Sequence, residues 1–168
     1  MTYSFGAVCI ILSFTLEGMR RASLLIKRRK LLLECLRFSK WMEREVADRR
    51  TSITEMISVQ CQTSSLLTDF FKQVEAELAT SPFHHAWKQT VINHQSFNCL
   101  KKEDLNWLVK ISDAFRNIHI DSVEKELSFI IAGIQTRYEE ALEFESKFVK
   151  IYRTIGFMTG LIAVLLLI

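Results

Sequence analysis

Ile155-Gly156-Phe157-Met158-Thr159-Gly160-Leu161-Ile162-Ala163-Val164-Leu165-Leu166-Leu167-Ile168 carries no charged side chain. Fourteen residues span roughly 21 Å as a helix, short of the roughly 30 Å hydrocarbon core of a bilayer. Ile151, Tyr152 and a snorkelling Arg153 lengthen the stretch on its charged side. Its last six residues are all apolar and give a soluble helix no polar cap, so membrane insertion is the expectation.

A second uncharged stretch, Tyr3-Ser4-Phe5-Gly6-Ala7-Val8-Cys9-Ile10-Ile11-Leu12-Ser13-Phe14-Thr15-Leu16, lies at the other end. No basic residue precedes it, which disfavours a cleaved signal peptide. Arg20, Arg21, Lys27, Arg28, Arg29 and Lys30 follow it, and Lys147, Lys150 and Arg153 precede the last stretch. Both basic clusters therefore face the middle of the chain. By the positive-inside rule the middle is cytosolic and both termini reach the far side. The expected organisation is an N-terminal membrane segment over 1–19, a cytosolic helical bundle over 20–153, and a C-terminal membrane segment over 154–168.

All 22 basic and 19 acidic residues of the 168-residue chain fall between Glu17 and Arg153. A single proline and five glycines leave little material for hairpins or a Gly-rich nucleotide loop. The apolar share of 49% excludes a disordered chain. A net charge of +3 does not suggest nucleic acid. Charge is nevertheless uneven. Residues 20–50 hold 11 basic and 4 acidic groups, and residues 51–150 hold 10 and 14. Arg20, Arg21, Lys27, Arg28, Arg29, Lys30 and Arg153 form a collar suited to anionic lipid headgroups. The acidic remainder suits a basic soluble partner.

Within the middle, Leu25, Leu32, Leu36, Met42 and Val46 recur at helical steps, predicting a long first helix that stops near Arg49-Arg50. Ser52-Ile53-Thr54-Glu55 has the capping-box pattern. Ser64-Ser65 is positioned to cap a helix carrying Leu66, Leu67, Phe70, Phe71, Val74 and Leu78. Ser81-Pro82 predicts a serine cap with proline in the first turn. A loop follows around His94 to Asn98, and then a helix bearing Leu105, Leu108, Val109 and Phe115. Asp121-Ser122-Val123-Glu124 predicts the start of a last helix that continues into the membrane stretch. The fold class is all-α, a bundle of about six helices whose long first and last members pair antiparallel.

Chemistry-bearing motifs are missing from this pattern. Cys9, Cys35, Cys61 and Cys99 have no metal-ligand spacing, and disulfides are not expected in reducing cytosol. No G-x-S-x-G, Walker loop or H-E-x-x-H occurs. We expect no catalytic, cofactor or metal residues and no small-molecule substrate. Gly156-x-x-x-Gly160 allows close approach of two membrane helices, with Gly6 as the expected opposing surface. Trp41, set among charges on the first helix, is a candidate partner contact. Trp87 is a core anchor or an interface residue.

The order of these elements resembles the stage III sporulation protein AB family of endospore-forming bacteria. The resemblance covers the whole chain: Gly6-Ala7, Gly18 before the basic first helix, Glu45-Val46, Ala86-Trp87, then Lys150, Ile155-Gly156-Phe157, Gly160-Leu161 and Leu165-Leu166-Leu167. Glycines usual in the family near Ser112 and Arg116 are absent, as is a proline after the first basic cluster. The resemblance implies a component of an apparatus in the mother-cell membrane around the forespore, similar to secretion machines and served by a cytosolic ATPase. The implied partners are other membrane proteins of the stage III sporulation A complex and that ATPase. The likeness extends to the inner-membrane platform proteins of type II secretion and type IV pilus systems. It also singles out Glu45 as the acidic residue of a family motif and a candidate partner contact.

Overall fold

A chain with so few helix breakers has little alternative to helix. The computed structural model, which describes residues 2–49, 51–63, 65–116 and 120–167, contains six α-helices and no strand among them. They are α1 (Thr2–Arg44), α2 (Ile53–Gln62), α3 (Thr68–Leu78), α4 (Phe83–Asn93), α5 (Lys102–Ala114) and α6 (Ile120–Leu167). A π-helical turn at Glu45–Arg49 closes α1, and a 3₁₀ turn at Gln95–Cys99 joins α4 to α5. The chain divides into two compact units, one of residues 1–29 with 140–168, the other of residues 30–139.

The second unit is an aromatic-centred bundle. Trp87 is buried on α4, stacked on Phe38 with centroids 5.8 Å apart and edge-on to Phe70 at 5.0 Å. Its indole Nε1 donates to the Leu108 carbonyl at 2.7 Å, which ties α4 to α5. Phe71 and Phe97 pack on the same group, 4.7 Å from Phe38 and 4.9 Å from Phe70. Each such pair adds roughly 0.5–1.5 kcal/mol beyond area burial. Leu32, Met42, Met56, Ile57, Ile111 and Leu127 fill the rest.

Local chemistry sets the boundaries. Ser52 caps α2 as expected, its Oγ accepting from the Glu55 amide at 3.3 Å. α3 begins later than the serine pair implied. The Thr68 hydroxyl donates to the Thr63 carbonyl at 2.7 Å and accepts from the Ser65 amide at 2.9 Å. That turn leaves Leu66 exposed and Leu67 buried ahead of the helix; Ser64 lies outside the described residues. Pro82 itself, not Ser81, stands at the N-cap of α4, extended at φ −59°, ψ 151°. The expected loop after His94 is instead the 3₁₀ turn. Phe97 is buried there, and the His94 ring accepts from the Ser96 amide at 3.3 Å. The last helix starts at Ile120, so Asp121 and Ser122 lie inside its first turn rather than before it.

One charged pair is built into this unit. Asp104 is fully buried at the start of α5. It accepts from the Lys101 amide at 2.9 Å and from Arg137 Nε of α6 at 3.0 Å. Burial, with Glu34 and Asp104 adding to it, pushes the Cys35 thiol up to about 12.

Candidate functional site

In the first unit, the N-terminal part of α1 and the C-terminal part of α6 run antiparallel, and glycines set their spacing. A Cβ on Gly18 would fall 2.6 Å from the Tyr152 carbonyl oxygen and 3.1 Å from the Gly156 Cα. A Cβ on Gly156 would fall 2.8 Å from the Phe14 carbonyl oxygen and 3.1 Å from the Gly18 Cα. Real side-chain carbons do not come so near backbone, so both positions require glycine for two backbones to touch. One turn on, a Cβ on Gly160 would lie 3.0 Å from the Ile11 Cα. Ala22, one turn beyond Gly18, is fully buried. Close backbone contact of this kind is how helices associate where no hydrophobic effect drives them.

The expected pairing is thus corrected on one side. Gly156 and Gly160 lie at the crossing, whereas Gly6 is exposed with nothing within 4 Å of a Cβ built on it. The opposing surface is Gly18 together with Phe14 and Ile11.

The basic collar is less uniform than its composition suggests. Arg28 is 3% exposed, so it cannot present its charge to lipid headgroups. Arg29 is ion-paired across the two helices with Glu145, each side chain about one-fifth exposed. Arg20 and Arg21 are exposed and share the Glu17 carboxylate, at 2.7 and 2.9 Å. Lys27, Lys30 and Arg153 are exposed. The guanidinium that reaches across to α6 therefore braces the hairpin, and the outward charge comes from the others.

The three candidate contacts of the second unit separate by burial. Trp87 is 2% exposed and hydrogen-bonded inside, which removes it as an interface residue. Trp41 is half-buried against Phe38 at 6.0 Å. It lines a cleft of about 180 Å³ with Glu34, Arg37, Gln60, Thr63 and Phe71. Glu45 is half-buried in the π turn, where its carboxylate accepts from the Thr51 hydroxyl at 3.1 Å. Its geometry is that of a brace for the end of α1.

Among the described residues, no group of three or more His, Cys, Asp or Glu side chains is disposed to hold a metal. His84 Nε2 stands 3.1 Å from Asp113 Oδ1, an exposed link from α4 to α5 that spacing alone did not suggest. The four cysteines are free thiols. Burial, reinforced by Glu75, pushes the Cys61 thiol up to about 11.

Among the described residues, one helix is long and apolar enough to cross a membrane, the part of α6 from Val123 to Leu166, whose best window has a mean hydropathy of 1.5. An all-α chain with such a helix, clasped to a second apolar helix by facing glycines, is a helical protein of membrane-associating type. The description "Stage III sporulation protein AB" belongs to the family model that matches residues 4–168. The chain belongs to that family, and membership gives it a role in sporulation. Neither the curated proteins nor the solved structures contain a match to it.

Proposed function

We propose that the protein is a non-enzymatic platform component of the channel-forming, secretion-like complex between mother cell and forespore. In this reading it links a cytosolic ATPase to the membrane assembly. The observation that carries the proposal is the Gly18–Gly156 crossing. It holds the two apolar ends side by side, so that both fit one membrane as a hairpin. The residues 1–19 and 154–168 then span the mother-cell membrane, both termini lie on its far side, and residues 20–153 lie in the cytosol. Arg20, Arg21, Lys27, Lys30 and Arg153 meet anionic headgroups at about 1 kcal/mol each. The bundle itself supplies a rigid docking body, with the Trp41 cleft and the exposed carboxylates Asp69, Glu75 and Glu77 of α3 open to a soluble partner. The family match favours this over a scaffold acting outside sporulation.

Topology tests the proposal. Single-thiol variants, with the native cysteines replaced, carry the thiol at Lys102 or after Ile168. A membrane-impermeant maleimide should label the terminal thiol in intact cells and the Lys102 position only after permeabilisation. Labelling at Lys102 in intact cells would put the bundle on the other side of the membrane and end the platform reading. With the cytosolic result in hand, co-purification with the ATPase should weaken when Trp41→Ala is introduced.

A further inference from the structure

We infer that the polar cleft between α3 and the end of α4 seats a basic peptide segment, an arginine side chain together with the peptide groups beside it. The inference deepens the proposed docking role and rests on it, naming the place on the bundle and the chemistry of the partner that lands there. The cleft encloses about 400 Å³. Asp69 and Gln73 of α3 form one wall, and Asn93, His94, Gln95 and Ser96 form the other. Asp69 and Gln73 are four residues apart, so they share one face of their helix.

The core holds both walls in place. Phe70, next to Asp69 in sequence, is buried. It lies edge-on to the His94 ring at 5.7 Å and 4.9 Å from Phe97 of the 3₁₀ turn. The His94 ring in turn accepts from the Ser96 amide at 3.3 Å. A cleft set before its ligand arrives loses less entropy on binding. Its polar groups are also uncommitted. The Asp69, Gln73 and Gln95 side chains make no hydrogen bond or ion pair with another described residue. Asn93 donates its amino group to Gln89 at 3.0 Å, which leaves its own carbonyl oxygen to accept.

Charge selects the ligand. Asp69 is the one carboxylate in the lining, and no lysine or arginine lines the cleft. Burial keeps the His94 ring below its usual proton affinity, so it adds no positive charge at neutral pH. A phosphate or carboxylate ligand, nucleotides included, would meet Asp69 without a countercharge. A neutral ligand would leave Asp69 unpaired. One carboxylate is too few for a calcium cage, and no metal-holding cluster occurs among the described residues. A guanidinium fits, because it is all donor and its planar fork matches a carboxylate. The carboxamides of Gln73, Asn93 and Gln95 carry donor and acceptor together, as a peptide group does, and suit the main chain on either side. Glu75 and Glu77, both exposed on α3, add to the field that draws such a segment in.

Peptide binding to the full chain in a neutral maltoside detergent tests this, read by fluorescence anisotropy. The probes are labelled hexa-arginine, hexa-lysine and hexa-citrulline, the last a neutral isostere of the first. Hexa-arginine should bind several-fold more tightly than hexa-lysine, and hexa-citrulline should not bind. Asp69→Asn should weaken hexa-arginine roughly fivefold, the strong end for a surface ion pair. Gln95→Lys, which puts a cation on the opposite wall, should abolish binding. Glu77→Gln removes a carboxylate from the same helix and should change little. Equal losses from Asp69→Asn and Glu77→Gln overturn the seat in favour of diffuse attraction. So does equal binding of the arginine and citrulline peptides, or no binding at all. Capture of the ATPase is measured in the same detergent and should fall with Asp69→Asn. Undiminished capture by that variant overturns the seat and leaves the platform reading standing. No capture by the unaltered chain ends the platform reading whatever the peptides do, so the two failures are told apart.

Discussion

Asp104 is fully buried and His94 half-buried. Asp104 has no exposed surface and neutralises Arg137 while capping α5. Removing one partner of a buried pair costs about 3–5 kcal/mol, and Glu103, 3.9 Å from the Arg137 guanidinium, offsets part of that loss here. We expect Asp104→Ala to lower stability by about 3 kcal/mol in denaturant unfolding of the detergent-solubilised chain. Asp104→Asn, which keeps an acceptor for the Lys101 amide, should cost less. Equal losses would mean that volume, not charge, is what Asp104 contributes. His94 sits edge-on to Phe70 at 5.7 Å. Burial lowers its affinity for a proton below the ordinary imidazole range, and Asp69 partly opposes that. The unfolded ring takes up its proton near pH 6.5, and the folded ring only at lower pH. Between those points the unfolded state holds more protons, so stability rises with pH. The melting temperature should be flat above about pH 7 and decline as pH falls below about 6.5. His94→Asn keeps a cap for the Ser96 amide and should reduce that decline. An unchanged pH profile would assign the decline to other groups.

Where elements meet, Gly133 decides how α5 lies on α6. A Cβ there would come 2.5 Å from the Trp107 ring. Trp107 in turn contacts Phe129 at 5.4 Å and lies under the Lys110 ammonium at 4.0 Å. In an exposed helix Gly→Ala stabilises by about 1 kcal/mol. Here the ring has to move, and Gly133→Ala should lower the melting temperature instead. A rise would mean that Trp107 swings out at little cost. The reason for a glycine at 133 was not legible in the sequence. Periodicity along one helix carries no information about which ring lies against it. The late start of α3 has the same origin, since the Thr63–Ser65–Thr68 hydrogen bonds involve a turn that no helical period describes.

For the molecule as a whole, the division into two units means that a lesion in one is readable apart from the other. Gly156→Leu pushes a branched side chain against the Phe14 carbonyl and the Gly18 Cα. We expect spin labels at Leu12 and Phe157, both exposed, to report a longer and broader distance in this variant. The near-ultraviolet signal of the bundle, dominated by Trp87 and its neighbours, should keep its melting point. Loss of both would show that the hairpin and the bundle fold as one cooperative body.

The helical class, the number of helices, the apolar last segment and the family could all be read from the order of residues. Those properties depend on local spacing: apolar periods near 3.6, the serine at 52, the scarcity of glycine and proline, and charges confined between Glu17 and Arg153. Which glycine faces which could not be read that way. Gly6 lies in the more apolar stretch and looked the better partner, yet Gly18 meets Gly156 because the register of two antiparallel helices is set by contacts along their whole length. The same holds for the collar, where equal charges in sequence become a buried Arg28, a cross-helix Arg29 and an outward Lys27. Trp41 and Trp87 follow suit. Side-chain type determined that each would seek apolar cover, and only the packing of α1, α3 and α4 decided which of the two was sealed inside.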